Sequence, residues 1–399
     1  MASLLSGIRQ TPNTADGVLR TLNNPRLFEQ TPLDDELDDA LQTYVSAETR
    51  PRRDVPSEAE YKRRLHSVEK LNQYVTGGQW RTLALAAKAT ILETPAVEER
   101  ALLGFWVYRA LALVMHRDGA PLADRELVRL EMATRQAEIA REPVQVHGKS
   151  PTVVWPFELR LLRARIPGIA HGDWTESISR LCALQRGCHR VLLAIPDGTD
   201  SDRANLYKQR VFRISLMIAG CAIKLGDSEL AVQTLDRLLV EEPADPQLMS
   251  AVARTYLQLG GIPAAEKLFV RIEKTVSKDD KLVLMNRALY AVATSKWDIA
   301  RDMFARVFAD HPDRIAAGNN AAVCDLYLGS PQAMLNSLQQ LMVISPTAAG
   351  TAEELVFNYC TGLDLHYDGS KLREAKIKKM IEVGMWAGDS FDMRSFKIQ

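Results

Sequence analysis

Four stretches decide how this chain folds: AGCAIKLGDSELAVQTL at 219–235, ARTYLQLGGIPAAEKLF at 253–269, ALYAVATSKWDIARDMF at 288–304 and AVCDLYLGSPQAMLNSL at 322–338. Each opens on alanine, and Ala219, Ala253, Ala288 and Ala322 lie 34, 35 and 34 residues apart. Twelve positions on comes a second marker, Ala231, Ala265, Ala300 or Met334, and four further on a larger one, Leu235, Phe269, Phe304 or Leu338. Pro243, Pro312 and Pro346 close three of the four units.

This order has a physical reading. A small residue midway along a helix lets a neighbouring helix cross closely, and the larger residue one turn beyond the second marker fills the space between units. Proline, lacking an N–H, ends the second helix. Between the two markers stand the turns Leu225-Gly226-Asp227, Leu259-Gly260-Gly261, Thr294-Ser295-Lys296 and Leu328-Gly329-Ser330. The period and the marker order resemble the tetratricopeptide repeat, a helix-turn-helix unit. The expected fold is therefore all-α, a solenoid of antiparallel helix pairs.

Working outward, four regions are expected. Residues 1–56 carry Pro12, Pro25, Pro32, Pro51 and Pro56 and the run Asp34-Asp35-Glu36-Leu37-Asp38-Asp39, and they read as a disordered tail. Leu33, Leu37 and Leu41 share one face of a short helical piece within it, but a solvated tail is the expected state. Residues 57–196 read as degenerate helix pairs, starting at a cap on Ser57 and including an apolar helix around Phe105, Trp106 and Tyr108. Pro167-Gly168 is expected to end a helix that starts at Phe157, and the polar run from Asp197 to Asp202 to separate these pairs from the repeats. The four repeats occupy 205–346, and 347–399 reads as capping helices, because terminal units of a solenoid face water on one side.

Composition excludes little and points nowhere strongly. Lys plus Arg and Asp plus Glu number 50 each, so no net field favours nucleic acid or anionic lipid. Five cysteines, Cys182, Cys188, Cys221, Cys324 and Cys360, are odd in number and set among apolar helical residues, which reads as a reduced, intracellular protein. The longest apolar run, Ala101 to Met115, contains Arg109 and falls short of the roughly 20 residues a membrane span needs. The start of the chain lacks the basic and apolar segments of a secretory signal.

Catalytic and cofactor chemistry find no foothold. Gly148-Lys149-Ser150 resembles the end of a phosphate loop, but Pro143 stands where that motif needs glycine. Cys182, Cys188 and His189 lack the spacing and the second ligand pair of a zinc site, and Asp197–Asp202 lacks the glycine and glutamate of a calcium loop. No cofactor, metal or catalytic residue is expected. The candidate function is binding. Asn286 and Asn320 each stand two residues before an alanine marker, where first helices line a groove, with Arg254 and Tyr256 nearby. They read either as hydrogen-bonding groups for an extended partner segment or as partners of neighbouring helix backbones.

Specific segments narrow the resemblance further: Trp155-Pro156-Phe157 with Leu159-Arg160, Leu257-Gln258-Leu259-Gly260 through Ala264-Ala265-Glu266-Lys267, and Asn319-Asn320-Ala321-Ala322-Val323-Cys324 with Leu326-Tyr327-Leu328-Gly329. Phe357-Asn358 and Gly388-Asp389-Ser390-Phe391 join them. In order and spacing, from about residue 60 onward, these resemble the subunit-twelve family of the TRAPP (trafficking protein particle) tethering complex. The resemblance implies a non-catalytic scaffold in the type III complex. Its partners would be TRAPP subunits, above all the large peripheral subunit eleven, and indirectly a Rab GTPase. It also implies a peripheral place at the ER–Golgi intermediate compartment and Golgi, in ER-to-Golgi traffic and autophagy, with no nucleic acid and no membrane insertion. The other reading is a peptide-binding adaptor of the co-chaperone type. Such a clamp wants Lys and Asn at groove positions where this chain has Leu216, Gly220, Ser250, Arg254, Met285 and Leu289.

Overall fold

The computed structural model describes residues 22–29, 33–53, 55–56, 66–95, 98–141, 155–196, 200–241 and 245–398. Its helices in chain order are α1 Glu36–Tyr44, α2 Val68–Thr76, α3 Trp80–Glu93, α4 Glu99–Met115, α5 Ala120–Arg141 and α6 Phe157–His171. There follow α7 Trp174–Leu193, α8 Ser201–Leu225, α9 Ser228–Glu241, α10 Pro246–Gln258, α11 Ile262–Glu273 and α12 Lys281–Ala293. The chain continues through α13 Trp297–Asp310, α14 Ile315–Tyr327, α15 Pro331–Ile344, α16 Pro346–Ala349, α17 Glu353–His366 and α18 Gly369–Gly384. Among the described residues there is no strand.

The chain divides into two compact units. One comprises residues 1–36, 55–225 and 388–390; the other comprises 37–54, 226–387 and 391–399. The division does not follow the four expected regions. It falls after Leu225, inside the first repeat, because α8 runs for 25 residues and packs along α7 more extensively than any other pair of helices meets. Of the polar run expected to separate the arrays, Asp197–Thr199 lie outside the described residues, and Asp200 caps α8 by accepting from the Arg203 N–H at 3.1 Å.

In the first unit α2 to α8 pack each on the next. Ser67 caps α2, its hydroxyl accepting from the Lys70 N–H at 3.3 Å, while the expected cap at Ser57 lies outside the described residues. The helix from Phe157 does not stop at Pro167. Ser177 Oγ accepts from the Gly168 N–H at 2.8 Å and donates to the Arg165 carbonyl at 3.1 Å, so the ladder that proline interrupts is repaired from α7. Trp174 packs where a Cβ on Gly168 would stand, at 2.2 Å, so glycine is required there. The helix ends four residues later at Gly172, with φ 73°.

The largest correction concerns the described part of the expected tail, residues 22–29 and 33–53; residues 1–21 lie outside the described residues. Leu22, Leu27, Phe28 and Leu33 are buried in the first unit with Leu71, Leu83, Trp106 and Leu130. Phe28 stacks on Trp106 with centroids 4.8 Å apart, and Trp106 Nε1 donates to the Leu22 carbonyl at 2.8 Å. Beneath them Arg109 and Glu126 form a fully buried pair, with Nε donating to Oε2 at 2.9 Å. Glu126 also accepts from the Glu29 N–H at 2.9 Å, and Arg109 Nη1 donates to the Ala84 carbonyl at 2.9 Å. Here the arginine inside the apolar run is a core cation with its charge matched. In the second unit Leu37, Leu41 and Val45 are buried with Leu338, Met380, Val383, Phe391 and Phe396. Of the acidic run, Asp34 and Asp35 precede the docked helix, and Glu36, Asp38 and Asp39 lie on it away from its buried face. Its aspartates obscured the apolar spacing because they share the sequence interval but not the face.

Residues 388–390 belong to the first unit, where Asp389 is wholly buried and caps α3. Its carboxylate accepts from the backbone N–H groups of Arg81 at 3.0 Å and Thr82 at 2.6 Å, and from the Thr82 hydroxyl at 2.5 Å. That segment is not part of the array's cap, as a single block at 347–399 would have it.

Candidate partner-binding groove

In the second unit consecutive helices pack pairwise from α9 through α15 to α17, and the first helices α10 and α12 also touch each other. The markers from Ala231 to Met334 sit on these helices, while Ala219 lies on α8 in the first unit. Ala219, Ala231, Ala253, Ala265, Ala288, Ala300, Ala322 and Met334 are each at most 2% exposed, as is none of the solvated surface around them. Leu235, Phe269, Phe304 and Leu338 are buried beside them. One residue in each of the four expected turns adopts the left-handed conformation: Gly226 (φ 85°), Gly260 (78°), Ser295 (58°) and Gly329 (80°). In three of them the next N–H closes the helix end: Gly261 to Tyr256 O at 2.7 Å, Lys296 to Ala291 O at 2.8 Å and Ser330 to Asp325 O at 2.9 Å. Pro312 and Pro346 follow the ends of α13 and α15, while Pro243 lies outside the described residues.

The groove candidates separate. Asn286 is 1% exposed and does not present itself to solvent, which corrects the groove-facing reading for this residue. Its Oδ1 accepts from Ser250 Oγ at 2.7 Å and Arg254 Nε at 2.9 Å, both on α10. The small Ser250 side chain lets α10 and α12 approach closely enough for the asparagine to be enclosed. Arg254 is half-buried, and burial pushes its guanidinium below the usual value. Tyr256 turns to α9, where its hydroxyl donates to Asp236 at 2.8 Å; burial and that carboxylate push the phenol up to about 12. Asn320 is half-buried, and it is the adjacent Asn319 that bonds across to α17, accepting from Asn358 Nδ2 at 3.0 Å. Of the four candidates the structure brings together Arg254 and Asn286.

Three contributors lie outside the four groove candidates. Ser250 and Asn319 occupy the same register within their repeats, three residues before the alanine marker, so the period itself carried that signal. Arg287 ties α12 to α11 by donating to Glu266 at 2.8 Å and to Glu273 at 2.9 Å. Glu273 first, then Glu266, holds its guanidinium above the usual value against the opposing effect of burial. An aromatic stack also lies on this unit: half-buried Trp297 and Tyr327 have centroids 4.0 Å apart, and Tyr327 is 61% exposed.

The other candidates hold no site. Cys182 is half-buried, Cys188 is buried and His189 is exposed; burial raises the Cys188 thiol. All five cysteines are free, and burial pushes the Cys324 thiol up to about 11 and the Cys360 thiol to about 12. Among the described residues no three His, Cys, Asp or Glu side chains converge as metal ligands, and no helix is long and apolar enough to cross a membrane. Gly148-Lys149-Ser150 lies outside the described residues.

No family model matches the chain. It is 30% identical over 262 residues, 61% of its length, to trafficking protein particle complex subunit 12 of Mus musculus, and 29% identical over 262 residues to the protein of the same name from Homo sapiens. The resemblance drawn from residue motifs is borne out. The chain spans about a third of the length of these curated relatives, 32% and 35% respectively. A tetratricopeptide repeat protein from Parabacteroides merdae superposes over 71% of this chain and 98% of its own, at 14% identity and a TM-score of 0.39. The repeat fold rests instead on the registered helix pairs and turns described above.

Proposed function

We propose that the chain is a non-catalytic scaffold subunit of a TRAPP tethering assembly of the type III kind. In that role it binds the large peripheral subunit eleven and serves, through the assembly's other subunits, nucleotide exchange on a Rab GTPase. The observation that carries this reading is the similarity to subunit 12 of mouse and human TRAPP. The stacked first helices fit it, because each repeat contacts mainly its neighbours and an extended segment can lie along them without disturbing a core. Placement is peripheral, at membranes of the ER–Golgi intermediate compartment and Golgi, and the process is ER-to-Golgi transport and autophagy.

The test is purification of the tagged chain from its own cells, followed by size exclusion and mass spectrometry of the peak. Small TRAPP subunits and subunit eleven are expected to co-elute. Elution alone at monomer size, or with chaperones, overturns the reading.

A further inference from the structure

In the second unit a cation and an amide are left with unused donors. Asn286 is enclosed between α10 and α12, and both bonds it makes fall on its oxygen. Its Nδ2 is buried and has no hydrogen-bond partner. A buried amide with two unused donors is costly unless something else supplies the acceptor. Next to it Arg254 has one of its five donors on that same oxygen, and among the described residues no carboxylate pairs with it.

Three other enclosed guanidinium groups carry carboxylates, whereas Arg165, half-buried with an Nε that has no hydrogen-bond partner, does not. Arg109 has Glu126, Arg163 has Asp124 and Glu131, and Arg287 has Glu266 and Glu273. Arg254, like Arg165, is half-buried and without a countercharge among the described residues. Asn286 Oδ1 fixes its Nε, so the planar fork is oriented before any ligand arrives. That preorganisation favours a planar two-oxygen acceptor, and a carboxylate matches a guanidinium in two parallel bonds.

We infer that Arg254, held by Asn286 and Ser250, is the seat for an aspartate or glutamate side chain of an extended partner segment lying along the first helices. The occupant is argued from charge and donor count: a desolvated positive group plus unused N–H donors calls for an anionic acceptor, and the groove of stacked helices calls for a chain rather than a small ion. A single cation is not the multi-lysine clamp that grips a chain terminus, so an internal acidic side chain is the fitting ligand. The inference rests on the groove being the binding face, as proposed above, but its test uses the chain alone and is independent of any TRAPP subunit.

The probe is an end-blocked, fluorescently labelled 20-residue peptide of alternating Glu and Ala, with the Gln-for-Glu peptide as control, titrated by anisotropy onto the full chain. The expected result is binding of the Glu peptide that weakens with salt, with no binding of the Gln peptide. R254Q keeps a neutral donor for Asn286 and is expected to lose about tenfold in affinity, the scale of a charge-assisted bond. R306Q, at an exposed arginine already paired with Asp279, is expected to bind as wild type does. N286D supplies the missing carboxylate from within, so it is expected to keep the melting temperature or raise it while abolishing peptide binding. Equal affinities for R254Q and R306Q, undiminished binding by a folded N286D, or no binding by wild type overturns the inference. Failure here with TRAPP subunits still co-purifying would remove the acidic seat and leave the scaffold reading standing.

Discussion

The repeats at 219–338 and the segment at 22–45 are both buried through apolar side chains, yet they advertise it differently. In the repeats each buried position recurs at 34 or 35 residues, so Ala253 is interpreted by Ala219, Ala288 and Ala322. Leu22, Phe28, Leu37 and Leu41 have no such echo. They are read against five prolines and a run of acids, whose ordinary meaning is a solvated tail. Their partners, Trp106 in one unit and Met380 and Phe396 in the other, are distant in sequence. Periodicity reveals burial against a neighbouring copy of the same unit; it is silent about burial against something met once.

If the segment is as integral as the array, breaking it should cost at least as much. E126A removes the carboxylate shared by Arg109 and the Glu29 N–H, and stranding that buried charge should cost about 3–5 kcal/mol in urea denaturation. A loss near zero would return residues 22–29 to the status of a tail. L41A, emptying a wholly buried position, should lower stability by about 2–5 kcal/mol and shift the denaturation midpoint, whereas a solvated helix would give no shift.

Within the array the effects are smaller, because they perturb a crossing rather than a charge. A288L and A322L should overpack their crossings and cost about 1–3 kcal/mol each; unchanged melting temperatures in both would sink the repeat register. The turns give the smallest and most directional effect. G260A and G329A should each lose about 1 kcal/mol, since no neighbouring atom lies within 4 Å of the added Cβ and the cost is that of a left-handed backbone alone. At Ser295, the turn where glycine is missing, S295G should gain up to about 1 kcal/mol in the same measurement. Opposite signs at equivalent positions would tie the four turns to one conformation.

The groove shows how far residue pattern carries a site. Register placed Asn286 and Arg254 on consecutive first helices, and the structure brings them to 2.9 Å. Pattern could not say that Asn286 would be enclosed, because enclosure depends on Ser250, a small residue on the facing helix. Nor could it say that Tyr256 would turn to Asp236 on the preceding helix. Side chains one turn apart on a helix share a face, but which of them a neighbour covers is set by the residue opposite.

From residues alone came the helical class, the repeat period, the marker positions and the turns, since all four are local or repeat at short range and are dictated by backbone sterics and helix periodicity. The folded chain settled the rest: Pro167 inside a helix, Asp389 capping α3, the first repeat divided at Leu225, and residues 22–45 within two cores. Each of these depends on a pairing that occurs once, between neighbouring helices for Pro167 and Leu225 and between distant positions for Asp389 and residues 22–45. Such a pairing is decided by what fills space and satisfies donors once the chain is compact, and it leaves no period to read.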